Sequence, residues 1–214
     1  MIPASCCNGP NGDLPVRRNA GRKGGAAMKE KEIDYFVALY DLARVINASL
    51  DPSIVLEQVA RHVAMTIRAK ACSIRLLDSR RRKLLLKASH GLSDSYLRKG
   101  PVLVKESGLD KKALQGKTVW LKDASTDKNF QYGPRAKAEG IKSVLVLPLL
   151  IENKATGVLR VYSDRIREFD DQEIRFLEAA ANLSAIAIEN ARLHKTLQTR
   201  YELMSEHKYR IDDN

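Results

Sequence analysis

Two pairs of strand-like runs, each joined by a short polar turn, constrain this chain more than any other feature. Ala71–Asp78 and Leu84–His90 flank a turn containing Arg80, Arg81 and Arg82. Ser143–Ile151 and Gly157–Ser163 flank Glu152, Asn153 and Lys154. Strands joined by hairpins must pair antiparallel, which excludes a doubly wound parallel sheet. A charge run such as Arg80–Lys83 reads as a solvated turn.

Helical periodicity brackets these pairs. Residues 31–48 carry two apolar stripes, Phe36, Leu39, Ala43 and Ile46 on one and Ile33, Val37 and Tyr40 on the other. Two stripes imply two packing partners. Asp51 is an N-cap followed by Pro52 at the first helical position, with Leu50 and Val55 spaced for a hydrophobic staple. That helix runs to about Arg68, with Val55, Val59, Val63 and Ile67 on one face. A last helix spans Asp171 to about Lys208, opened by a capping box of Asp170 and Glu173 and a staple of Phe169 and Ile174. Between the strand pairs lies a looser region. It holds a short strand at Val102–Val104, a short helix over Leu109–Leu114, a strand at Val119–Leu121 and a polar loop from Asp123 to Gly140 with a helical turn or two. The class expected is α+β.

Function classes fall away by inspection. No apolar run reaches membrane-spanning length, and no hydrophobic segment of a secretory signal follows Met1. Cys6, Cys7 and Cys72 make neither a disulfide framework nor a zinc spacing. The expected home is the reducing cytoplasm, with no membrane partner. The net charge of +11 raises the prospect of nucleic acid, but the basic residues are scattered and aromatics are only 6% of the chain. Neither a stacking platform nor a recognition helix is visible, so no nucleic-acid partner is expected. His62, His90, His194 and His207 form no metal-spaced cluster, and no phosphate-cradling glycine loop or nucleophile motif occurs. No catalytic residue and no metal site is expected, and nothing specifies a cofactor.

Residues 1–30 are rich in Gly, Pro, Asn and Arg without apolar periodicity, and read as a disordered basic tail. The sparse charge favours a true start at Met28 or a passive tail over a basic tether for anionic surfaces. Residues 31–195 read as one domain and 196–214 as an extension of its last helix.

The runs Ala71-Cys72-Ser73-Ile74-Arg75-Leu76-Leu77-Asp78 and Ala88-Ser89-His90-Gly91-Leu92 resemble the first hairpin of a GAF domain. Ser143–Leu149, Gly157–Ser163, Phe169–Ile174 and Ala185–Ala191 extend that resemblance over about residues 35–195. It implies a central antiparallel sheet with helices packed on one face and a loop-covered ligand pocket on the other, in a module that senses small molecules, redox state or light. Several GAF chemistries do not fit. Asn153, Lys154, Phe169 and Glu173 echo a cyclic-nucleotide signature, but Gln172 stands where its acidic pair would begin. A GAF-type methionine sulfoxide reductase needs several cysteines around the pocket, and a covalent bilin needs one beyond Cys72. His90, the candidate haem ligand, falls at a strand end.

Strand alternation places Ser73 and Arg75 on one face of their strand, and Arg160 and Tyr162 on one face of theirs. The GAF resemblance makes the two strands neighbours, so both guanidiniums share a surface. Two arginines there require counter-charge. Either they bind an anionic ligand, with Tyr132 closing over it from the 123–140 loop, or Asp123, Asp127 or Glu139 pairs with them. In the last helix Leu183, Ile186, Asn190, Leu193 and Leu197 recur at heptad spacing, with Asn190 at an a-like position. That seam predicts a homodimer. The expected function is a sensor that binds a small, anionic ligand and signals through a dimeric helical interface to a separate output protein. The alternative is a scaffold of the same fold whose pocket is filled by its own side chains.

Overall fold

The computed structural model describes residues 33–49, 51–124, 127 and 130–212, with the side chains beyond residue 205 left aside. The expected tail at 1–30 and the staple residue Leu50 lie outside the described residues.

Helix α1 (Tyr35–Asn47) starts later than its periodicity suggested, because Asp34 caps it by accepting from the Phe36 and Val37 amides at 3.0 and 3.2 Å. Its buried residues are Ala38 and Leu42, between the two expected stripes. From the two stripes, Phe36, Val37 and Tyr40 are exposed and Ile33, Leu39, Ala43 and Ile46 are half-buried. Ala38 permits close approach: the His62 ring nitrogen lies 2.9 Å from its carbonyl oxygen. Helix α2 (Pro52–Thr66), capped by Asp51, buries Val55, Val59 and Val63 as expected.

The sheet has six strands in the order β3-β2-β1-β6-β5-β4. They are β1 (Ala71–Leu77), β2 (Lys83–His90), β3 (Val102–Leu103), β4 (Val119–Leu121), β5 (Ser143–Ile151) and β6 (Lys154–Ser163), and every pairing is antiparallel. β6 begins at Lys154 because the turn needs only Glu152 and Asn153, at φ 47° and 63°. Positive φ at both central residues marks the turn whose twist matches a hairpin, and Asn tolerates it.

Both faces of the sheet are buried. Cys72, Ile74, Leu145, Leu147, Leu159 and Val161 pack with α1, α2 and α6 (Asp171–Asp212). Ala71, Leu84, Val144, Val146, Val158 and Tyr162 form a second core beneath α3 (Asp94–Leu97), α4 (Gly108–Ala113) and α5 (Gly133–Ala138). The second face is therefore covered by three short helices as well as loop. A strand buried on both sides shows no alternation, hence the unbroken apolar run of β5. The capping box forms: Glu173 donates its amide to Asp170 Oδ1 at 2.8 Å, and Asp170 donates its own to Glu173 Oε2 at 3.2 Å. Arg167 pairs with Glu173 and donates to the Ile67 carbonyl at 3.1 Å, fastening the start of α6 to the end of α2.

Gly157 sits in β6 where a Cβ would lie 2.3 Å from the Arg75 carbonyl oxygen and 2.8 Å from a Leu76 methyl. Backbone cannot give way there cheaply, and overpacking of this kind costs about 1–3 kcal/mol. Gly157→Ala is expected to lower the urea midpoint at unchanged slope.

Candidate functional site

The site lies on the second face, where β1 meets β6. In their register Ser73 is opposite Arg160, Ala71 opposite Tyr162 and Arg75 opposite Val158. Ser73, Arg75, Arg160 and Tyr162 thus share one surface, as alternation predicted. The β1–β2 pairing shifts between Ile74 and Arg75. Such bulges re-aim side chains and recur beside functional sites.

Arg160 is 2% exposed and has a partner. Its Nε donates to Asp110 Oδ1 at 3.0 Å and its Nη2 to Oδ2, a bidentate pair with a fully buried carboxylate. Ser107, which caps α4, donates its hydroxyl to the same carboxylate. The counter-charge is therefore Asp110, in place of the expected Asp123, Asp127 or Glu139. Glu139 instead accepts from the Ser93 amide at 2.8 Å and from its hydroxyl, tying α3 to the end of α5. Burial opposes the charge on Arg160, but Asp110 outweighs it and holds the guanidinium above its ordinary range.

Arg75 is 1% exposed and poorly satisfied. Its Nη1 donates to the Leu84 carbonyl at 3.4 Å, while Nε and Nη2 have no partner among the described protein atoms. Burial, reinforced by Arg160, lowers its affinity for a proton, although Tyr162, Tyr96 and Asp110 act the other way. The Tyr162 hydroxyl and Ser73 Oγ are 3.0 Å apart in a hydrogen bond. The two expected site residues therefore engage each other.

Two neighbours complete the cluster. Tyr96, on α3, meets Tyr162 edge-on at 6.3 Å between ring centroids. Its hydroxyl is buried without a partner. Lys99 follows α3, is 7% exposed, and sets its ammonium nitrogen 3.2 Å above the Tyr96 centroid and 5.1 Å from that of Tyr132. It too has no hydrogen-bond partner. Burial first, then Arg160 and Arg75, lower the Lys99 pKa to about 6, against the pull of Asp110 and Glu139. Burial likewise raises the Tyr96 hydroxyl. Tyr132 is half-buried and donates to the Pro101 carbonyl at 3.0 Å, anchoring the cover near Lys99. Asn129, another loop residue with site potential, is outside the described residues; Gln131 accepts from the Leu103 amide at 3.1 Å.

Sequence reasoning missed Tyr96, Lys99 and Asp110. Ser107-Gly-Leu-Asp110 carries the spacing of a capping box, a signal for the start of α4. Nothing local marks Asp110 as the partner of a residue fifty positions on. On the other face Cys72 is a buried thiol pushed up by desolvation, inert rather than nucleophilic. Among the described residues no His, Cys, Asp and Glu group is arranged to hold a metal ion, and no helix is long and apolar enough to cross a membrane.

The seam residues divide. Leu183 is half-buried and packs on the chain's own core, whereas Ile186, Leu193 and Leu197 are 53%, 53% and 66% exposed, and Asn190 is exposed between them.

A helix-backed antiparallel sheet with a polar cluster beneath short covering helices is the architecture expected of a sensory module. The family model described as GAF domain matches residues 49–189, and the chain belongs to that family. It is similar to the GAF domain of an Acinetobacter phosphoenolpyruvate-protein phosphotransferase, at 25% identity and TM-score 0.64 over 74% of this chain and 94% of that one. The GAF domain of the Coxiella burnetii phosphoenolpyruvate-protein phosphotransferase shares the fold at 20% identity and TM-score 0.68, over 76% and 96%. A Nif-specific regulatory protein of Herbaspirillum seropedicae is 25% identical over 181 residues, 82% of this chain and 32% of that protein. The chain thus spans about a third of the length of that curated relative.

If the Arg160–Asp110 pair holds α4 on the sheet, breaking one side must cost more than removing both. Asp110→Leu is expected to lose about 3–5 kcal/mol, and Asp110→Leu with Arg160→Met to recover most of it. Urea unfolding of the two variants measures the difference.

Proposed function

We propose that this GAF domain is the sensing module of a regulatory system, binding a small anionic ligand beneath α3 and α4 and passing its occupancy to a separate output protein through α6. One observation carries this reading: Arg75 and Lys99, both more than nine-tenths buried, direct polar atoms without partners into one cluster with the unpartnered Tyr96 hydroxyl. A buried cation without a hydrogen bond is costly, and a charge-assisted contact to an anion offsets that cost. The Nif regulator among its relatives supports a regulatory setting. The reading is of a binding module without catalysis: the cluster has donors for an anion but no nucleophile paired with a base.

The ligand contact is assigned to Arg75, Lys99 and Tyr96, with Ser73, Tyr132 and Tyr162 lining the site. Arg160 serves as the scaffold that holds Asp110 and α4. A thermal-shift screen of carboxylates and phosphates distinguishes these roles. Arg75→Gln is expected to erase a hit, at about 1.5–3 kcal/mol of binding, roughly ten- to hundredfold in affinity, while keeping the unliganded midpoint. Arg160→Gln is expected to lower that midpoint by leaving Asp110 unpaired. Loss of unliganded stability in Arg75→Gln would favour a scaffold with a self-filled pocket.

We further propose that the domain is a homodimer through the exposed apolar residues of α1 and α6. Phe36, Val37 and Tyr40 on α1 stand beside a helix whose Ile186, Leu193, Leu197 and Met204 repeat at heptad spacing. A heptad seam is complementary to a second copy of itself, and a polar a position fixes its register. Leu193→Glu places a charge in the seam far from the sheet. Sedimentation is expected to show a folded monomer where the parent protein is a dimer; a monomeric parent at tens of micromolar would refute the seam.

A further inference from the structure

We infer that the ligand of this site is a compact dianion, held between Arg75 and Lys99, and that it enters together with one proton. The inference rests on the anion-site reading above and adds the charge the ligand must carry.

Among the described residues, the buried charged side chains on this face of the sheet are Arg75, Lys99, Asp110 and Arg160. Asp110 and Arg160 neutralise each other in a bidentate pair, with Ser107 on the remaining carboxylate lone pair. Two basic side chains are left, each with unpartnered polar atoms. A monoanion would serve Arg75 alone and leave the buried Lys99 nitrogen without a partner, at the cost of an unmade hydrogen bond. A ligand with two negative charges matches both.

The proton follows from what happens without ligand. Burial and the neighbouring guanidiniums lower the Lys99 pKa to about 6, so near neutrality the amine is held largely uncharged. A dianion beside the amine reverses the balance by supplying the opposite charge, so Lys99 takes up a proton as the ligand binds. The groups facing Lys99 are Asp110 from α4, Arg75 from β1, Arg160 from β6, Tyr96 from α3, and Tyr132 and Glu139 from either end of α5. Since unbound Lys99 deprotonates above about 6 and bound Lys99 does not, affinity weakens as pH rises from there, approaching tenfold per unit.

The test uses probes that stay fully ionised from pH 6.5 to 8.5, at constant ionic strength. Sulfate is compared with methanesulfonate, its monoanionic relative, and succinate with succinamate; the two pairs separate an oxyanion site from a dicarboxylate site. Calorimetry on the full chain at neutral pH is expected to show at least one dianion binding tenfold or more tighter than its monoanion. Repeating the titration in buffers of different ionisation heat should show uptake approaching one proton. In Lys99→Met, and in Lys99→Gln as a second packing choice, both the dianion preference and the pH slope should vanish. Binding of a monoanion as tight as its dianion would overturn the charge inference while leaving the anion site standing. Binding of no probe overturns both. A pH slope that persists in both Lys99 variants overturns the assignment of the proton.

Discussion

The buried pair of Arg160 and Asp110 is the contact on which the second face of the sheet depends. β6 supplies a guanidinium in the middle of the sheet, and α4 supplies a carboxylate from a helix of only six residues. A helix that short has little stability of its own. Its position is fixed by the Ser107 cap, by Leu109 and Ala113 in the second core, and by this pair. Once α4 is held there, Asp110 is committed. The cationic groups beside it, Arg75 and Lys99, must then find their compensation elsewhere. A structural ion pair thereby marks out the candidate site by what it leaves over.

The two faces of the sheet divide the labour. The helical face is dry and close-packed, from Leu42 on α1 through Val59 on α2 to Leu177 on α6. The other face mixes apolar packing with charge, and its cover is assembled from pieces tied by single side chains: Glu139 to Ser93, Tyr132 to Pro101, Gln131 to Leu103. These ties add to the packing of Tyr96, Leu109, Ala113 and Ala136 in the second core, so the cover is held by a mixture of apolar contacts and single polar links.

Most of the fold was legible because its signals are local. The β1–β2 and β5–β6 hairpins, the Asp51 cap and the Asp170–Glu173 box are each written within a few residues. Alternation alone put Ser73, Arg75, Arg160 and Tyr162 on one surface. What stayed hidden was tertiary. α3 is a short helix that shows no periodicity of its own, whereas α5 falls where a helical turn was expected in the 123–140 loop. Asp110 looked like a first-turn helix acid because in sequence it is one. Nothing in Leu97-Arg98-Lys99-Gly100 records that the Lys99 nitrogen comes to rest over the Tyr96 ring. The stripes of α1 misled for a different reason: the helix buries only the narrow line of Ala38 and Leu42 between them and leaves Phe36, Val37 and Tyr40 outside.

Helix α6 has 42 residues without a break, and only its first part is packed on the domain. The remainder, from Glu189 to Asp212, is a lever about 35 Å long at 1.5 Å per residue. Its fulcrum is the capping box and the Arg167–Glu173 pair, which join it to the end of α2. Measured from that fulcrum to Asp212 the arm is about 60 Å, so a tilt of about five degrees would swing the far tip by about 5 Å, close to one helical turn of travel. A motion small at the packed base would thereby be magnified at the far end.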